Sequence, residues 1–203
     1  MNSETKQYEQ KLKISLKEYF YKIDPHVQVE NQWIPFRSEA LSKYSPIVDI
    51  AIGPFAYRTT QYIEEYDRLS EASSRLIDNL LHSFKLNSKH FSFERAIPDD
   101  YRTLNMVNSD ARCFMAIEIE KTGTRKHRLG DIVNACSLGR MGIIIAWDTQ
   151  FLKSFLKITE YFNYLKYKMK PTYETGNLII TTKEQFLESL TLNQQLSHTL
   201  DSS

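Results

Sequence analysis

The sequence predicts an α/β fold: a mixed sheet flanked by helices, with a helical insertion between core strands two and three. Three observations predict it. Short β-branched runs alternate with long stretches of helical periodicity along the 203 residues. The run "MGIIIAWD" is unbroken and apolar, as a strand covered on both faces must be. Residues 113 to 148 read as strand, helix, strand, and that helix is long enough to bring the fourth strand back parallel to the third by a right-handed crossover.

The elements follow in order. Tyr8, Leu12, Leu16, Tyr19 or Phe20, and Ile23 recur at helical spacing, so residues 4 to 23 form an amphipathic helix closed by "DPH". "HVQVENQWIPF" alternates and is the first strand; "YSPIVDIAIGPF" is the second, bounded by Pro46 and by Gly53 and Pro54. Residues 57 to 97 carry apolar side chains at helical spacing and form the insertion. "ERAIPDDYRTLNMVNSD" has turn chemistry and reads as a loop. "ARCFMAIEIE" is strand three. "KTGT" turns the chain into a helix, which Gly139 closes in the usual C-terminal position. After the fourth strand come a long aromatic helix ("QFLKSFLKITEYFNYLKYKM"), a short strand ("GNLIITT"), a helix ("KEQFLESLTL") and a polar tail.

Composition narrows the function. The length suits a single domain, 1–203, in which 149–203 elaborate the core. With 41% hydrophobic and 25% charged residues the chain is an ordinary globular protein with a real core. The net charge of +1 supplies no global field, so any polyanion site must be a local patch. Two cysteines make neither a disulfide framework nor a zinc cluster, and read as core thiols of a cytoplasmic protein. No stretch has the pattern of a signal peptide or a membrane span, and no membrane partner is expected. There is no phosphate-binding glycine loop and no nucleophile elbow, and only 6 glycines, which argues against a dinucleotide-binding domain.

The chemistry concentrates in "FMAIEIEKTGTRKH". Side chains alternate along a strand, so Glu118 and Glu120 share a face with Phe114 and Ala116. Their stems lie ~6.6 Å apart at a rise of ~3.3 Å per residue, and the heads can converge. If Asp49 of the second strand joins them, three carboxylates share one pocket. Two anions ~5 Å apart repel by about 3 kcal/mol at an effective dielectric near 20. Such a site keeps a proton or holds a cation, and oxygen-only donors favour a hard ion such as Mg²⁺. Immediately downstream, Arg125, Lys126, His127 and Arg128 gather at a helix N-terminus, an arrangement that attracts phosphate. Carboxylates holding a metal beside phosphate-seeking cations suit phosphodiester hydrolysis.

These residues resemble the PD-(D/E)xK superfamily, the restriction-endonuclease-like nucleases. "PIVDIAIG" supplies the acid of the second strand, "AIEIEK" the acidic motif of the third, "KHRLGDIVNACSLGR" the crossover helix and "GIIIAWD" the fourth strand. The resemblance spans about residues 4 to 148. It implies a restriction-endonuclease-like core and a Mg²⁺-dependent DNA endonuclease, in which Mn²⁺ can substitute, belonging to a restriction or defence system. It also implies DNA as partner, and a homodimer for cutting both strands. It assigns Asp49 and Glu118 to the metal, with the Ile119 carbonyl beside them. Glu120 stands where the superfamily has lysine; it would orient or deprotonate the water, and Lys126 would supply the positive charge. Contacts to nucleic acid fall to Arg125, Lys126, His127 and Arg128. An acid on the first helix completes some such sites, and Glu9 and Glu18 are both candidates. Glu120 at the lysine position also motivates an alternative: a non-catalytic nuclease-fold module that binds nucleic acid or a partner subunit. A third reading makes the acids surface pairs of a purely structural interaction protein.

Overall fold

The structure, a computed structural model, describes residues 3–35, 45–93 and 97–200. Helix α1, Ser3–Ile23, precedes an antiparallel meander of β1, Val29–Trp33, and β2, Val48–Ile52. The insertion folds as α2, Ile63–Ala72, and α3, Ser74–His90, followed by a single turn, α4, Tyr101–Asn105. Strand β3, Cys113–Glu120, leads into α5, Arg125–Leu138, and β4, Gly139–Ala146. Helix α6, Thr149–Tyr167, strand β5, Leu178–Thr182, and helix α7, Lys183–Leu200, follow. The five strands form one sheet in the order β1-β2-β3-β4-β5. The pairs β1/β2 and β2/β3 are antiparallel; β3/β4 and β4/β5 are parallel. The architecture is therefore α/β with a mixed, open sheet.

The burial pattern explains this order. Every residue of β4 is buried, which fits a strand at depth in a parallel array. In the meander the faces differ. Ile50, Ile52, Met115, Ile117 and Ile119 enter the main core with Leu12, Leu16 and Phe20 of α1. The small Ala51 and Ala116 belong to a minor cluster with Trp33, Val48, Cys113 and Leu138. Phe20 meets Phe114 edge to face with ring centroids 5.9 Å apart. Both cysteines are buried and not disulfide-bonded.

Buried Arg140 of β4 ties the insertion to the sheet. Its Nε donates to Asn105 Oδ1 (2.8 Å), its Nη1 to the Asn108 carbonyl (2.9 Å) and its Nη2 to Asp67 Oδ1 (2.9 Å). One guanidinium thus holds α2, α4 and the following loop, using the fork geometry that lysine lacks.

Four local expectations need revision. The stretch read as a loop after residue 94 contains α4, where the Asp100 carboxylate accepts the Thr103 N–H at 2.9 Å and Tyr101 and Leu104 are buried. Helix α7 runs to Leu200, through residues expected to be a polar tail. Gly139 is extended (φ −85, ψ 143) and opens β4 instead of capping α5 in the left-handed region. Glycine is required there by a close approach: a Cβ would overlap the Met141 carbonyl and sit 2.8 Å from the Ala116 nitrogen. The first strand is shorter than the run suggested, and Phe36 and Tyr44, at the ends of the expected strands, lie outside the described residues, as do residues 94–96. Among the described residues no helix is long and apolar enough to cross a membrane.

Candidate active site

Antiparallel register sets the geometry. Ile50 pairs with Ile117 and Ala51 with Ala116, so the next step places Asp49 opposite Glu118 on the same face. The ladder gives way at that step and the side chains take over its hydrogen bonds. The Ile119 N–H donates to Asp49 Oδ2 at 2.8 Å, and the Asp49 N–H donates to Glu118 Oε2 at 3.3 Å. Asp49, Glu118, Ile119, Glu120 and Asp131 line one pocket of about 320 Å³, with Thr5, Lys121, Gly123 and His127 around it.

Each acid has a distinct environment. Glu118 is 4% exposed, and Asn134 of α5 donates to its Oε1 at 3.3 Å. Burial, then the charges of Asp49 and Asp131, push its pKa well above the ordinary carboxylate range. Asp49 is raised for the same first reason, with Glu120 adding to it against the Ile119 and Gln32 hydrogen bonds. Glu120 is the fixed member: its Oε1 accepts the Thr122 N–H at 2.6 Å and the Gly123 N–H as well. A Cβ at position 123 would lie 2.8 Å from the Glu120 Cδ, so a side chain there would displace the carboxylate. Asp131, in the second turn of α5, is pushed up to about 8 by burial and by the Glu120 carboxylate beside it. Its Oδ2 is buried with no donor among the described residues. A proton held between Asp131 and Glu120, or a cation, relieves that arrangement.

Helix α1 supplies a further acid. Glu9 is 4% exposed, on the same helical stripe as Leu12, Leu16 and Phe20. Burial and then the Asp49 charge raise its pKa. Gln32 joins the two, its Nε2 donating to Asp49 Oδ1 at 3.0 Å and to Glu9 Oε1 at 3.4 Å. To do so Gln32 adopts φ 50, a left-handed conformation inside a strand. Glu18 is exposed, nine residues along α1 and so about half a turn away from Glu9 around the axis.

The structure thus brings Asp49, Glu118, Ile119, Glu120 and Glu9 to one end of the meander, and leaves Glu18 outside. The cations divide. His127 lines the pocket, and its Nδ1 accepts the Thr124 N–H at 3.2 Å, capping α5. Lys126 is exposed on α5 and is not among the residues lining the pocket. Lys121 does line it, and pairs with Glu4 while its Nζ sits 4.4 Å from the Trp147 ring centroid. Arg128 donates to the Gly123 carbonyl at 2.9 Å. Arg125 and Arg128 open onto a second cleft, between α5 and α6.

Gln32, Asn134 and Asp131 were not among the residues the sequence singled out for the site. Glu9 had a readable signal, an acid at helical spacing with an apolar stripe. Asp131 had one too, lying four residues after His127 on a single helix face. Gln32 had none, because its role depends on a backbone conformation that glutamine rarely adopts.

Among the described residues no group of three or more His, Cys, Asp or Glu side chains stands in metal-ligating geometry. The carboxylates of Asp49, Glu118 and Glu120 are instead turned onto backbone N–H groups. The donor set still fits Mg²⁺, which takes one or two carboxylates and keeps waters and substrate oxygens for the rest. The stranded Asp131 Oδ2 and the crowding of acids with raised pKa values are what such an ion would relieve. A scan against protein-family models finds no match to this chain, and searches of curated proteins and of solved structures return no similar protein.

Proposed function

We propose that the chain is a Mg²⁺-dependent endonuclease that hydrolyses DNA phosphodiester bonds on a restriction-endonuclease-like core, acting in the cytoplasm as a homodimer, with Mn²⁺ able to replace Mg²⁺. The observation that carries the reading is the reciprocal pairing of Asp49 and Glu118 across β2 and β3 beside Glu120. The order of α1, the β1-β2-β3 meander, α5 and a parallel β4 supports the fold assignment. Asp49 and Glu118 would hold the ion, with the Ile119 carbonyl beside them. Bound there, it would supply a lowered water pKa and charge neutralisation at the phosphate. Glu120, pinned by Thr122 and Gly123, orients that water, and the Glu120–Asp131 pair accepts its proton. Glu9 and Gln32 fix the Asp49 carboxylate from the other side. Lys126 supplies the cation by swinging its exposed side chain over the pocket, and Arg125, His127 and Arg128 attract the phosphate backbone.

One observation favours the second reading, a nuclease-fold module without catalysis. The three strand carboxylates already have backbone donors, so they are satisfied without an ion. Plasmid cleavage with Mg²⁺ or Mn²⁺ separates the two. The hydrolytic reading expects cutting by the wild type and its loss, with folding retained, in Asp49→Asn and Glu118→Gln. Salt-dependent DNA binding without any cutting would establish the module instead.

A further inference from the structure

We propose that the cleft between the start of α5 and the first three turns of α6 holds the sugar–phosphate backbone of the nucleic acid a few nucleotides from the bond at the acid pocket. This rests on the hydrolytic reading for the identity of the polyanion, but not for the chemistry of the cleft itself. The cleft has a volume of about 660 Å³ and is lined by Arg125, Arg128, Lys153 and Lys157, with no carboxylate among its lining residues. A net charge of +1 over the whole chain makes four cations on one concave surface a local concentration rather than a share of a general field.

None of the four is in an ion pair among the described residues. Arg128 is held by the Gly123 carbonyl and stacks its guanidinium 5.2 Å from the Phe151 ring centroid. Its Nε is buried and has no acceptor among the described residues. Lys153 and Lys157 stand one turn apart on the exposed face of α6, a spacing at which like charges repel unless an anion joins them. Phe151 and the exposed Tyr161 add flat apolar faces between the charges. Alternating cations and rings form the surface on which a nucleic-acid strand lies, its phosphates on the cations and its bases or sugars against the rings.

Two features connect the cleft to the acid pocket. Helix α5 presents His127, Asp131 and Asn134 on one side and Arg125 and Arg128 on the neighbouring side. From Arg125 to Asp131 the helix rises about 9 Å. That is close to three nucleotides of one strand at about 3.4 Å each, so a phosphate at the acids has neighbours within reach of the cleft. Gly123 is the second link: its N–H grips Glu120 and its carbonyl accepts from Arg128, so one turn positions both sites.

The test uses the full chain and the doubly substituted Lys153→Glu/Lys157→Glu, with Lys153→Gln/Lys157→Gln as a milder pair; both positions are exposed, and circular dichroism checks that the helices remain. Binding of a short labelled DNA duplex is measured by anisotropy in EDTA across a salt series. The double variants should bind at least about tenfold more weakly, with a log K against log salt slope shallower by about 2, one unit per lost phosphate contact. In Mg²⁺ the same variants should raise KM for plasmid cleavage and leave kcat near wild type. Unchanged affinity and slope in the variants overturn the cleft even if the wild type cuts DNA. A wild type that binds but never cuts, with binding lost in the variants, upholds the cleft and overturns the hydrolytic reading. Binding by the wild type to vesicles of anionic phospholipid and not to DNA overturns the proposal in favour of a membrane surface.

Discussion

Asp49 and Glu118 each accept a hydrogen bond from the other's strand: the N–H of Ile119 reaches Asp49, and the N–H of Asp49 reaches Glu118. Two carboxyl groups therefore stand where ladder carbonyls would otherwise be. The sheet is closed at this level by side-chain oxygens, so truncating either residue would open the meander, whereas Asn or Gln keeps an acceptor and removes only the charge.

The pH dependence follows. Glu118, Asp49, Glu9 and Asp131 all have folded pKa values above their ordinary ones. Between the ordinary carboxylate range and those raised values the folded state binds more protons than the unfolded chain, so stability falls as pH rises. The Tm of the metal-free protein should decline from about pH 5 toward pH 8, the value to which Asp131 is pushed. Carboxyls held low, Glu4 by its hydrogen bond to Lys121 and Asp24 by the His26 N–H, act only on the acid side. Scanning calorimetry across this range, with and without Mn²⁺, should show the ion restoring most Tm at the upper end. Glu118→Gln should flatten both trends, and a metal-free Tm that climbs steadily over the same range contradicts the assignment.

The two acids of α1 should part company. Glu9→Gln keeps the Gln32 contact but removes a buried charge beside Asp49. It should change Mn²⁺ affinity, read by calorimetry, by tenfold or so, about 1.4 kcal/mol. Glu18→Gln, on the exposed side of the helix, should leave affinity and Tm as they are. Equal effects of the two would mean that Glu9 plays no part in the pocket.

Gly123→Ala places a methyl group against the Glu120 carboxylate. The carboxylate must let go of the turn, and the loss of its backbone donors should cost about 1–3 kcal/mol in chemical denaturation. Plasmid cleavage should fall along with it. Thr122→Ala, which keeps the backbone N–H, serves as the control and should behave as wild type.

Arg140→Ala should cut the insertion loose. It removes hydrogen bonds to Asn105, Asn108 and Asp67 from a buried position. Because Asp67 is about half exposed and can rehydrate, the cost should be about 2–4 kcal/mol, below that of a fully buried pair. Hydrogen exchange should report the loss first in α2 and α4. Uniform protection loss over the whole sheet would mean that the insertion does not open as a unit.

Much of the architecture was legible because the decisive elements are long or pure in pattern. The stripe Leu12, Leu16, Phe20 specifies α1, and the unbroken "GIIIAW" specifies a central strand. The one-turn α4 was not legible, since five residues hold a single cycle of periodicity and the Asp100 cap looks like any turn acid. Gly139 misled because a glycine after a helix has two physical uses, a left-handed cap or a close approach, and only the packing of Met141 and Ala116 distinguishes them. In the site, strand alternation was enough to place Glu118 and Glu120 on one face, while the place of Asp49 beside them was left conditional, because it depends on the register of β2 against β3. It could not place Asp131 against Glu120 or bring Gln32 between Glu9 and Asp49, since those meetings depend on how α5 and the distorted β1 lie over the meander.

The acid pocket draws on positions 9, 32, 49, 118 and 131, members of five different elements. Contacts between residues so far apart in the chain carry a larger loop-closure cost than local ones, and folds rich in them fold more slowly. The full set of side chains therefore exists only once synthesis has passed α5, because a chain ending before it lacks both Asp131 and the Asn134 that donates to Glu118. Whatever this cluster does, it needs the sheet and that helix together.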